Sequence, residues 1–138
     1  MRITKQQIIE AIRTEPLSPG FWIQGDDAAC AVCAVGGVLR AAGCGPEKIR
    51  AIGSELVGVG CVPREEDPYL ARRLVSEGQY LAALSCVFEG LAIEHLDLEW
   101  CEDVLDRTLE QRARAGDAAR EPLIAFVEET FPDSIEIV

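Results

Sequence analysis

The chain is short of basic side chains, aromatics and histidine, and it has no asparagine. Thirteen Lys and Arg against twenty-four Asp and Glu give a formal charge of −11 over 138 residues. A phosphate backbone is gripped by cations that replace its counterions, so this balance argues against direct nucleic-acid binding. No apolar run approaches the roughly 18 residues that span a bilayer, and Met1 to Gln7 lack the apolar core of a signal peptide. The expectation is a cytoplasmic protein with no membrane association. Six cysteines are too few for a disulfide scaffold and read as thiols. Cys30 and Cys33 form one C-x-x-C, but a second is missing and His95 is the only histidine, so neither metal nor cofactor is expected.

What is present is apolar and periodic. At 49% hydrophobic, residues 1 to 138 suffice for one domain of ordinary size. Thr4 and Gln7 have the spacing of a capping box, and Ile8, Ile9 and Ile12 line one face, which predicts a helix from Lys5 to Thr14 ended by Pro16. Pro16 to Gly20 reads as a turn and Phe21-Trp22-Ile23 as a short strand or an extended anchor. Ala28 to Ala42 carries only Arg40 as a charge, with Asp27 as its expected cap and Gly43 past its end, and so reads as a buried central helix. Gly36-Gly37 costs helix propensity, which a close neighbour or a bound ligand would have to offset.

Pro46 starts a further helix through Ile49, Ile52 and Leu56. Val57 to Val62 reads as a short strand or a glycine-jointed loop, and Asp67-Pro68 as the cap and first turn of a helix through Leu74. Tyr80 to Leu91 has the spacing of a second strongly apolar helix, expected to form the core with the one from Ala28. Ala92 to Leu98 fits a strand or a helix connection. From Glu99 a helical period returns with Cys101, Val104, Leu105 and Leu109 inward. Arg112 to Asp117 reads as a mobile loop, Pro122 as the start of a last helix, and Ile135 to Val138 as a strand with Phe21-Trp22-Ile23 as its expected partner. The fold class is therefore mainly α, a single compact domain with two or three very short strands.

The charge is unevenly placed. Residues 89 to 110 hold eight acidic side chains and one basic one, whereas residues 1 to 64 are nearly balanced. On a helix from Glu99, the positions Glu99, Asp103, Asp106 and Glu110 fall in one row with Glu102 beside it. Such a row is either an ordinary solvated face or a surface for a basic partner, which would turn self-repulsion into attraction. Carboxylates about a helical turn apart also imitate a phosphate backbone, so the expected partner is a basic protein surface that normally grips nucleic acid.

A second constellation is catalytic in type. Cys30 lies near an expected helix start, where backbone N–H groups stabilise a thiolate, and Gln24 six residues earlier is an oxyanion donor. Papain-like cysteine proteases are similar in placing a glutamine six residues before their nucleophile and a helix after it. This chain departs from them at Ala31, where they have an aromatic residue, and in lacking asparagine. Cys30 or Cys33 as nucleophile with His95 as base would make a small cysteine hydrolase or transferase.

Trp22-x-Gln24-Gly25 followed by Cys33-Ala34-Val35-Gly36-Gly37-Val38-Leu39-x-x-Ala42 resembles the W-x-Q-G … C-A-x-G-A-L-x-x-A signature of small uncharacterised bacterial and phage proteins. The resemblance covers about 20 residues, with Gly37 in place of the usual alanine. It implies a bacterial or phage setting and no particular activity. The favoured expectation is a non-enzymatic acidic binding protein, such as a phage or mobile-element inhibitor, with the cysteine enzyme as the alternative. A homo-oligomeric accessory protein is the third.

Overall fold

A computed structural model describes residues 1–20, 33–56, 69–99 and 101–137, leaving aside the side chains of Leu56, Cys101 and Glu102. Among these residues the chain is mainly helical, with six α-helices, a 3-10 helix and a two-stranded sheet. Strand β1 (Arg2–Thr4) pairs antiparallel with β2 (Ser134–Glu136), Ile3 facing Ile135. Both isoleucines are buried, and Ile137 N–H donates to Met1 O at 2.6 Å. Among the described residues the C-terminal strand pairs with β1; the expected partner Phe21-Trp22-Ile23 lies outside them.

Helix α1 (Lys5–Thr14) forms as its local signals require. The Thr4 hydroxyl accepts from Gln7 N–H at 3.1 Å while the Gln7 side chain accepts from Thr4 N–H at 2.8 Å, and Ile8, Ile9, Ala11 and Ile12 are buried. Helix α2 (Ala34–Ala41) starts later than the sequence suggests. Cys33 is extended and caps it, its sulfur accepting Gly36 N–H at 3.4 Å; the expected cap Asp27 and residues 28–32 lie outside the described residues. Ala34 to Leu39 are all buried, as expected of a central helix. A Cβ on Gly37 would meet Leu17 Cδ2 at 3.2 Å and Glu15 Cβ at 3.3 Å, so the segment after α1 is the close neighbour that offsets this glycine's cost.

Gly43, at φ +94°, turns the chain out of α2, and Cys44 N–H donates back to Leu39 O. Helices α3 (Pro46–Leu56) and α4 (Leu70–Ser76) follow. The cap position of α4 is Tyr69, with no side-chain capping bond, whereas the expected Asp67 cap falls outside the described residues, as does Val57 to Val62. Helix α5 (Tyr80–His95) is apolar almost throughout, with Phe88, Leu84, Ala92 and Ile93 fully buried. It absorbs the unassigned 92–95. Asp97, left-handed at φ 56°, then closes it, with Leu98 N–H donating to Ile93 O.

The continuous helix expected from Glu99 is not formed. Cys101–Asp106 is a 3-10 helix, and α6 (Leu109–Thr130) begins afresh. The reason is a second capping box: Thr108 accepts from Gln111 N–H at 3.1 Å and the Gln111 side chain accepts from Thr108 N–H at 3.0 Å. A cap of this kind contributes about 1 kcal/mol and sets the start of the helix. Arg112 to Asp117, expected as a loop, lies inside α6, and Pro122, expected as a helix start, lies in its interior. Arg112, Ala115, Gly116 and Ala119 are buried there, so tertiary packing outweighs the glycine and proline signals.

Helix α6 packs chiefly on α5, and α1 lies against both α2 and α6. The main core joins α1, α2, α5, α6 and the strands, but α5 packs mostly on α6 and α4 and less on the expected α2. A smaller cluster of Leu74, Ala82, Ala83 and Cys86 joins α4 to α5. No helix among the described residues is long and apolar enough to cross a membrane.

Candidate binding surface

The acidic residues sit on a corner between two helix ends. Glu99 is exposed in the turn after α5, Asp103 is half-buried and Asp106 exposed on the 3-10 helix, and Glu110 is exposed in the first turn of α6. With about three residues per turn, positions 103 and 106 share one edge of the 3-10 helix. Glu102 belongs to the same helix, but its side chain lies outside the described set. The single row therefore becomes two groups, 99 to 106 and the start of α6.

Their electrostatic states differ. Glu110 is ion-paired with Arg114 one turn on, and its place in the first turn of α6 also favours a negative charge there. Glu110 thus has a folding role of its own. Glu99, Asp103 and Asp106 have no ion pair among the described residues, whereas several arginines are paired with other carboxylates. Arg40 binds Glu15 at 2.8 Å, Arg72 binds Glu129 at 2.9 Å and Arg120 binds Asp117 at 2.9 Å.

Sequence periodicity places Leu105 and Leu109 inward, and the structure corrects this. Leu105 is 57% exposed and Leu109 54% exposed, while Val104 alone of these three is buried. In a 3-10 helix Val104 turns to the core and Leu105 swings outward; Leu109 heads α6 beyond its cap. A helical wheel continued across Thr108 cannot show this. The Thr108-Leu109-Glu110-Gln111 box was the available signal for the break.

The catalytic candidates are not drawn together among the described residues. Cys33 is buried at the cap of α2, where burial pushes its thiol up to about 12 against the lowering effect of Gly36 N–H, and the Glu89 carboxylate adds to the rise. A thiol in that state is protonated at neutral pH and a weak nucleophile. His95 is exposed at the end of α5, and no hydrogen bond joins it to Cys33. Cys30 and Gln24 lie outside the described residues. Cys44 and Cys86 are buried, and no group of three His, Cys, Asp or Glu among the described residues is placed to hold a metal.

One polar site escapes sequence reasoning. Glu89, half-buried on the mostly apolar α5, accepts the Gly20 N–H at 3.4 Å, and burial pushes its carboxyl up to about 7. The buried Arg112 guanidinium lies against the same glycine, 3.5 Å from where a Cβ would stand. A lone carboxylate within Tyr80 to Ile93 was the signal for this site.

No family model, curated protein or solved structure matches the chain. Among the described residues, positions 99 to 110 join exposed carboxylates to two exposed leucines. Glu99, Asp103 and Asp106 fall within eight positions and repel one another, with no ion pair among the described residues to offset this.

Proposed function

We propose that this protein is a non-enzymatic, cytoplasmic binding module that presents the corner around Glu99, Asp103 and Asp106 to a basic protein surface. The observation supporting it is that these three carboxylates, on the most acidic stretch of the chain, have no ion pair among the described residues. A partner carrying Arg or Lys would relieve their mutual repulsion and would be steered to them over about a Debye length. In its finer form the module is an inhibitor of phage or mobile-element origin, filling a surface that its target otherwise uses for phosphates. Glu110 contributes less to binding than the other three, since Arg114 already engages it. The raised thiol of Cys33 disfavours the cysteine-enzyme alternative at that residue.

A peptide of alternating arginine and serine is a direct probe. It is expected to bind with an affinity that falls as salt rises, and Asp103→Lys/Asp106→Lys should weaken it at least tenfold. Glu121→Lys/Glu128→Lys changes the net charge by the same amount at two exposed positions on α6 and should weaken it far less. Equal losses in the two double variants would refute this corner as the binding surface.

A further inference from the structure

The exposed leucines specify the partner more closely. Scattered apolar side chains on a surface need no explanation, but Leu105 and Leu109 are both more than half exposed within five residues of chain. Four peptide units span at most about 14 Å, so one short segment of a partner can cover both. The residues beside them are Asp103, Asp106 and Glu110, with Arg107 half-buried. A second copy of the chain seated face to face would bring these carboxylates against their own kind, a like-charge contact that opposes association. Charge complementarity selects the opposite composition.

Resting on the binding reading above, we infer that the partner contributes an amphipathic basic segment, in which apolar side chains cover Leu105 and Leu109 while flanking Arg or Lys residues meet Asp103 and Asp106. Steering then comes from charge and residence from burial. Covering the exposed halves of two leucines contributes about tenfold in affinity.

The test uses the full chain and two peptides of equal length and arginine count, one with leucine and the other with serine at the intervening positions. The leucine peptide is expected to bind about tenfold tighter, and Leu105→Ser/Leu109→Ser should abolish that advantage while leaving the serine peptide's affinity unchanged. Leu109→Ser alone, at the exposed first position of α6, should remove part of it, and circular dichroism verifies that each variant is folded. Equal binding of the two peptides with retained salt dependence overturns the apolar contact and leaves the acidic binding reading standing. A leucine advantage that survives the double variant also overturns it. Binding of neither peptide overturns both proposals. A chain that sediments as a dimer, and as a monomer once both leucines are serine, assigns the face to a second copy and overturns the basic segment as its occupant.

Discussion

Gly116→Ala is expected to destabilise the protein by about 3 kcal/mol, lowering the melting temperature by about 10 °C. Gly116 lies in the middle of α6, where the segment after α1 crosses it backbone to backbone. A Cβ there would collide with Leu17 O and stand 2.7 Å from Leu17 C and 3.2 Å from Ser18 N. All three are backbone atoms, with none at a flexible side-chain end. Leu17 and Ser18 are themselves buried, and Leu17 is held on its other side by Gly37 of α2, so the segment has little room to retreat. The same substitution at Gly90, within α5, meets nothing within 4 Å and should stabilise by about 0.5–1 kcal/mol through helix propensity. Thermal unfolding followed by circular dichroism checks the opposite signs. A Gly116→Ala protein as stable as the parent would show that the two segments are not in contact.

Glu89→Gln is expected to raise stability by about 3 kcal/mol at pH 8 and to change it little near pH 4.5. Burial moves the Glu89 carboxyl from its ordinary 4.5 up to about 7. The native chain therefore keeps a proton that the unfolded chain has released between those values. Because the native state binds more protons there, stability falls as the pH rises through that window. Glutamine has the same shape and can still accept the Gly20 N–H through its Oε1, but it carries no charge to bury. Denaturant midpoints measured at both pH values should show a flatter pH dependence in the variant. A variant with the parent's slope would mean that Glu89 ionises as an ordinary surface carboxylate.

Local chemistry was legible where both partners of an interaction lie within a few residues. Thr4 and Gln7 define the start of α1, Gly43 the end of α2, and the apolar spacing from Tyr80 defines α5. Features set by distant parts of the chain were not legible. The pairing of Ile3 with Ile135 leaves no local mark, so the C-terminal strand was given a nearer partner. Gly116 reads as a helix breaker because glycine costs about 1 kcal/mol in a helix, yet its missing side chain admits Leu17 and α6 runs through it. Pro122 reads as a first-turn residue for a similar reason. Cys33 as the cap of α2 was hidden because sulfur is a weaker acceptor than the Asp27 carboxylate that sequence favours.

The candidate site was legible in composition and not in shape. The concentration of charge between 89 and 110 follows from counting residues. Its division into a 3-10 helix and a newly capped α6 follows from Thr108 and Gln111 and turns Leu105 and Leu109 outward. An apolar pair framed by carboxylates is a different surface from a uniform acidic ridge, and it would select a different partner.

The most direct measurement is the amide spectrum of the isotopically labelled chain titrated with the arginine–serine peptide. The account predicts that the largest shifts fall at Glu99 and from Asp103 to Glu110, and that they diminish with added salt. Shifts centred on another acidic stretch, such as Glu128 to Glu136, or no shifts at all, would contradict it.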